Sequence, residues 1–350
     1  MFIARLFLLI SSILFLGGQA QPFSQTNSVH RSQENQTSDP SALPKTGSKD
    51  FPYSINSQWA SLPRGMSLGA THGGVAICET GEVFISTNGP MGIIQFEKNG
   101  DYRNHFGKKT SRTHSLFINK ESDSEYLYAS QLSRQRIIKL DLQGKLIFEI
   151  TYTEKNPIPG TLKGITSVAV AEDGRIYATT GYGSNRLHIF SAKGTLIRSV
   201  GSKGNGTTQT NTNHGVSIDK RYQPHRLLIA DRENRRLVHY DLDGNFLTIY
   251  AKSLKRPCAT SFFGDICAVA ELEGRVTLLD KNGKLLVHLG ENPNPKQWAR
   301  FKIPLGTTPF SSFSAPHGLA FTKRGDLIVQ DWNAYGQITL LSLKKGKLDK

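Results

Sequence analysis

The sequence predicts an all-β chain folded as a six-bladed β-propeller with four antiparallel strands per blade. Three observations lead there. A unit of short apolar runs separated by polar turns recurs six times, the units are about 40 to 60 residues long, and no stretch shows the 3.6-residue period of a helix.

The unit is plainest in the fourth repeat. His214–Ile218, Arg226–Asp231, Arg236–Tyr240 and Asp243–Ile249 read as four short strands joined by turns. The same order appears in Gly73–Ile77, Val83–Ile85 and Ile93–Phe96, and again after His114 in Tyr126–Tyr128 and Ile137–Leu140. Ile165–Val170 leads to Arg175–Ala178 and Arg186–Phe190, and Cys258–Phe262 leads to Ile266–Val269 and Arg275–Leu279. Finally, His317 leads to Leu327–Val329 and Ile338–Leu341. Anchors at 73, 114, 166, 214, 258 and 317 are separated by 41, 52, 48, 44 and 59 residues. Radial closure of such units hides most strand edges, which an open array would have to protect. The last unit has no room for a fourth strand, so a strand within residues 51–62 is expected to complete it and join the two ends of the chain.

The ends of the chain read differently. Arg5, the apolar run Leu6–Leu16 and Gly18-Gln19-Ala20 have the pattern of a cleaved export signal over residues 1–20. Residues 21–50 are polar and poor in aliphatics, the composition of a disordered linker. The propeller is expected over 51–350, in an exported protein, periplasmic or secreted, that acts as a monomer.

The formal net charge of +15 favours acidic substrates or association with an anionic surface. Export argues against a nucleic-acid partner. Of the three cysteines, Cys258 and Cys267 are nearest in sequence. If Gly264-Asp265 is a hairpin turn, Phe262 pairs with Cys267 and Cys258 lies about 13 Å down the strand at ~3.4 Å per residue, too far for a disulfide. All three are expected to be buried free thiols.

Three phrases carry the chemistry: Thr113-His114-Ser115-Leu116, Asn213-His214-Gly215-Val216 and Pro316-His317-Gly318-Leu319. Each opens an innermost strand, so closure would bring His114, His214 and His317 to one mouth of the axial channel. A three-imidazole set with an open coordination position is what a catalytic zinc site needs. The competing explanation is that His-Gly makes a good turn into a strand. His72 falls one residue before its anchor and is expected to point elsewhere. Asp231 and Asp331, at the ends of second strands, read as turn-stabilising carboxylates, and Asn185 and Asn234 as turn residues.

Further motifs add a resemblance. Gly181-Tyr182-Gly183-Ser184-Asn185-Arg186, the polar loop before His214, and Ala230-Asp231-Arg232-Glu233-Asn234-Arg235-Arg236 together resemble the core of the peptidyl-α-hydroxyglycine α-amidating lyases (peptidylamidoglycolate lyases), propellers of the NHL-repeat type. The resemblance implies that His114, His214 and His317 bind zinc, that Tyr182 and Arg232 are the active-site tyrosine and arginine, and that the substrate is a small or peptide carbinolamide split into an amide and glyoxylate. Two positions depart from the family. Its first-blade arginine is replaced by the tip Ser86-Thr87-Asn88-Gly89-Pro90, and the aspartate that helps hold a structural calcium is replaced by Gly318. These departures bear on substrate anchoring and on the calcium, and they leave open a non-catalytic propeller that binds a peptide, glycan or wall polymer at its channel mouth.

Overall fold

Short strands rich in Val, Ile, Leu and Phe, linked by tight polar turns, can bury both faces only by stacking sheets against sheets. The computed structural model, which describes residues 43–155, 157–309 and 311–344, shows six such sheets. Their innermost strands are Thr71–Ile77, Thr113–Glu121, Ser167–Val170, Asn213–Asp219, Pro257–Phe263 and Pro316–Phe321. Within each blade the strands follow one another antiparallel from the inside outwards.

The core lies between blades. Phe84 of the first blade packs with Leu127 and Ile138 of the second. Ile137 of the second joins Val168 and Phe190 of the third, and Tyr177 and Leu187 of the third join Leu227 and Val238 of the fourth. Leu228 and Leu237 meet Cys267 and Leu279 across the next gap, and Ala268 and Leu278 meet Leu327 and Leu341. Ile328 and Ile338 then pack on Val83 and Phe96, which returns the ring to its first blade. No blade can bury its faces alone, so stability depends on every neighbour being present.

The outer turns use a repeated device. Asp241 Oδ1 accepts from the backbone N–H of Asp243 and Asn245, and Asp280 Oδ1 from those of Asn282 and Lys284. Gly244 and Gly283 follow with φ of 83° and 80°, a conformation that side-chain-bearing residues rarely adopt.

Closure follows the expected scheme. Pro52–Asn56 supplies the outer strand of the last blade, pairing Tyr53 with Leu343 and Ile55 with Leu341. The buried Tyr53 hydroxyl donates to Gly325 O at 3.0 Å. Ordered chain also begins earlier than composition suggested, because Lys45–Gly47, within the segment read as linker, adds a further edge strand to this sheet. The export signal expected at 1–20 and the linker up to residue 42 lie outside the described residues. Cys78, Cys258 and Cys267 are buried free thiols, and Phe262 does pair with Cys267.

If Pro52–Asn56 closes the ring, Ile55→Ala, which empties a site only 3% exposed, should lower unfolding free energy by about 2–4 kcal/mol. The exposed control Lys98→Ala should move it by less than about 0.5 kcal/mol. Urea denaturation of both variants checks this.

Candidate metal centre

The residues at the channel mouth are placed by bulges. In five blades the first residue of the inner strand pairs with the end of the second strand, and the register then slips: Thr71 with Thr87, Thr113 with Gln131, Asn213 with Asp231, Pro257 with Glu271 and Pro316 with Asp331. The residue after each pair is freed from the ladder and can turn toward the axis. Those residues are His72, His114, His214, Cys258 and His317. Thr166 takes the place in the third blade, where its N–H bonds Thr179 O.

This register corrects the sequence reading of the first blade. The anchor there is His72 rather than Gly73, because the slip between Thr71 and Val75 is longer than in the second blade. His72 therefore belongs to the ring, its centroid 4.4 Å from that of His114 and 5.1 Å from that of His317. Cys258 was also missed as a site residue, although it stood at an anchor position.

The predicted histidines converge. Ring centroids are 4.7 Å apart for His114 and His214, 4.5 Å for His214 and His317, and 5.1 Å for His114 and His317. Three imidazoles bound tetrahedrally to one ion at ~2.0–2.1 Å would have centroids roughly 5 Å apart. Candidate donor atoms of His72, His114 and His317 lie within 4.8 Å of one another, as do those of His214, Cys258 and His317, so the predicted triad is divided between two donor sets that share His317.

Backbone carbonyls set the tautomers. His114 Nδ1 is 2.5 Å from Thr166 O and His214 Nδ1 is 2.9 Å from Cys258 O, the ring positions of the next blades. A carbonyl can only accept, so each Nδ1 carries the proton and each Nε2 presents a lone pair, the orientation that metal-binding imidazoles need. His317 Nδ1 is buried without a hydrogen-bond partner, against Gly73. A side chain on Gly73 would bring a Cβ within 2.3 Å of that nitrogen. Gly318 is equally constrained, since a Cβ there would lie 1.8 Å from Gly73 O, leaving no space for any side chain.

Burial holds all four imidazoles neutral. It lowers His72 to about 4 and His114, His214 and His317 well below the ordinary value, with neighbouring histidines and Arg232 adding to the effect. Burial also pushes the Cys258 thiol up to about 11, with Arg232 and Arg256 pulling it back.

Tyr182 stands over this ring on the loop between Ile176–Thr179 and Leu187–Phe190. The residue is 40% exposed, but its hydroxyl points inward, 2.9 Å from His214 Nε2 and 3.3 Å from His114 Nε2. Arg232 Nη1 donates to the same oxygen at 3.1 Å. Burial pushes the phenol up to about 12, with Arg232 acting in the opposite sense. Glu233 holds both Arg232, at 2.9 Å, and Arg256, at 2.7 Å, so two guanidinium groups sit beside the ring. The ion pair of Arg232 with its neighbour and its contact with Tyr182 coexist.

The supporting residues behave as expected. Asp231 accepts from Asn211 N, Asn234 Nδ2 and Arg236 Nε, and Asn185 Nδ2 donates to Gly183 O in a turn where Asn185 has φ of 54°. Asp331 Oδ1 accepts from Ala315 N. Trp332 stacks on Phe301 with centroids 4.9 Å apart, and Tyr335 is 52% exposed. Beneath the ring, the inner strands enclose an axial cavity of about 280 Å³ lined by Gly73, Leu116, Val168, Val216, Phe262 and Leu319.

The comparisons with known proteins agree on the fold. A family model, DUF5128, described as a 6-bladed beta-propeller, matches residues 160–263. A streptogramin B lyase structure aligns with a TM-score of 0.57 at 15% identity, over 83% of this chain and 98% of that one. Virginiamycin B lyase from Staphylococcus aureus aligns at 0.54 and 13% identity, over 83% and 100%. A gluconolactonase from Xanthomonas campestris aligns at 0.59 and 13% identity, over 83% and 90%. At these identities the likeness is one of architecture.

The neutral histidines give the chelator-treated protein a signed pH dependence. Each binds protons less readily folded than unfolded, so its contribution is present above pH 6.5 and is lost as pH falls below that value, through about 4 for His72 and for His188, which is buried in the strand Leu187–Phe190. Asp331 works oppositely: burial raises it to about 7, and its contribution is lost as pH rises from 3.8 to 7. The ring histidines and His188 outnumber it, so the midpoint temperature should fall on acidification from pH 6.5 to 4.5, and differential scanning calorimetry would show whether it does.

Gly318→Ala should destabilise by about 1–3 kcal/mol through forced separation of the first and last inner strands. Chemical denaturation measures this, and a neutral result would mean that the two backbones can part freely.

Proposed function

We propose that the chain is a metal-dependent carbon–nitrogen lyase of the peptidylamidoglycolate type. The ion would be held by His114, His214 and His317, with His72 and Cys258 at the same level of the ring. The observation that supports this most is the outward backbone anchoring of His114 and His214, which leaves two buried Nε2 lone pairs converging under the Tyr182 hydroxyl. Nitrogen-rich donors with a thiol nearby favour zinc over magnesium or calcium. No donor set in the ring suits calcium, and Gly318 removes the aspartate that the family uses for it.

A bound zinc supplies Lewis acidity toward a substrate hydroxyl. The chain's own residues would do the rest. Arg232, fixed by Glu233 and beside Arg256, presents a guanidinium to a substrate carboxylate, and this second guanidinium offers a substitute for the first-blade arginine that the sequence lacks. Tyr182, joined to Arg232 and to His214, is placed to relay the proton of the carbinol hydroxyl. The C–N bond of the carbinolamide breaks, the carbinol oxygen becomes the carbonyl of glyoxylate, and the relayed proton ends on the leaving amide nitrogen.

The scaffold alternative draws on the missing first-blade arginine, and it requires ligand binding that chelation leaves unchanged.

Purified protein should carry near-stoichiometric zinc by elemental analysis, and His214→Ala should weaken its retention by more than about a hundredfold. Unchanged metal content in that variant would end the metal reading. The parent should release glyoxylate from an α-hydroxyglycine peptide, and Tyr182→Phe should slow release by about 10²–10⁴-fold with zinc retained. Absence of glyoxylate from the zinc-loaded parent would remove the carbinolamide assignment.

A further inference from the structure

Charge is distributed unequally between the two faces of the propeller. Every inner strand begins at the histidine ring and runs away from it. The loops from second to third strand and from blade to blade therefore share the histidine face, and the first-to-second and third-to-fourth hairpins form the opposite one.

The histidine-face loops are residues 57–70, 88–92, 106–112, 132–135, 151–155, 157–166, 180–186, 201–212, 232–235, 252–256, 272–274, 290–309, 311–315 and 332–336. They contain four carboxylates, Glu154, Glu233, Glu273 and Glu291, against seventeen lysines and arginines. Three of those carboxylates are already engaged by basic neighbours within the face: Glu233 by Arg232 and Arg256, Glu273 by Arg235, and Glu291 by Lys255. Three loop stretches, Gly107-Lys-Lys-Thr-Ser-Arg112, Ala251-Lys-Ser-Leu-Lys-Arg256 and Lys296-Gln-Trp-Ala-Arg-Phe-Lys302, hold no acid at all. Lys108, Lys109, Lys252, Lys296, Arg300 and Lys302 are exposed. On the opposite face the hairpins interleave the two signs, as in Lys120 with Glu79, Lys220 with Glu172 and Arg175 with Asp243. The excess of positive charge is thus concentrated around the histidine mouth.

A predominantly basic face attracts a ligand whose many charges extend beyond the Debye length, ~8 Å at physiological ionic strength, more strongly than a small monoanion. Aromatic rings lie among the basic loops. Lys255 Nζ sits 3.8 Å from the Trp298 ring centroid, Phe301 and Trp332 stack, and Tyr335 is half exposed. Flat rings interspersed with cations suit pyranose rings that carry acidic groups.

We propose that the histidine face binds an acidic polysaccharide, held by its carboxylate or sulfate groups across the basic loops. The site is distinct from the metal reading and stands whether or not an ion is bound. Neither the export signal nor the lyase chemistry is needed for it.

The test is equilibrium binding of the intact chelated and zinc-loaded protein to polygalacturonate and dextran sulfate, with neutral dextran and duplex DNA alongside. The acidic glycans should bind both protein forms equally, with affinity falling by at least about tenfold between 50 and 200 mM salt. Lys296→Glu with Arg300→Glu and Lys302→Glu, or Lys108→Glu with Lys109→Glu, should each lower affinity at least about tenfold. Opposite-face Lys98→Glu with Lys145→Glu and Lys193→Glu should change it less than about twofold. Circular dichroism establishes that each variant is folded. Equal losses from both faces, equal binding of neutral dextran, tighter binding of DNA than of either glycan, or glycan binding only after zinc loading would each overturn the proposal. Zinc-free protein that still binds glycan would sustain it even if the metal reading failed.

Discussion

Closure of the ring is the interaction on which the rest depends. Tyr53 and Ile55, from one end of the folded chain, pair with Leu343 and Leu341 from the other, and this pairing makes the sixth sheet complete enough to stack on the first. Without it the contact between Gly318 and Gly73 has no reason to form. That contact places His317 against the first blade, beside His72. A site assembled from residues almost 250 positions apart thus rests on two short strands at the periphery.

The bulge at the head of each inner strand converts this closure into a cluster. A regular ladder would alternate side chains between the two blade faces, and none would point along the axis. In five of the six blades a slip in register releases a side chain into the channel mouth, and for His114 and His214 the neighbouring blade's carbonyl then fixes its orientation. The geometry repeats from the second blade to the third and from the fourth to the fifth. From the sixth to the first it changes, and the His317 nitrogen left without a partner marks the point where the quasi-symmetry is broken.

Positive charge and the histidine ring lie at the same end of the molecule for a topological reason. Loops on the histidine face include the long blade-to-blade connections, which are free to vary in length and content, whereas the opposite face consists mainly of tight hairpins constrained by Asx and glycine turns. Residues that overhang the ring, such as Tyr182 and Arg232, therefore arise on tips that rigid inner strands position.

Repeats, turn chemistry and alternation made the six blades, the closing strand, the free thiols and the convergence of His114, His214 and His317 legible in the sequence, because each depends on local pattern plus one assumption of closure. His72 was not legible there, since the local pattern anchors the first blade at Gly73 and a one-residue error in register reverses where a side chain points. The longer slip after Thr71 lies where Gly73 meets His317 and Gly318 of the last blade, a contact that no local pattern records. The place of Cys258 in the ring, the pairing of Glu233 with two arginines and the sorting of charge onto one face were likewise decided by tertiary structure. They depend on which loops share a face and which neighbouring strands touch, and the linear order of residues does not specify either until the ring is closed.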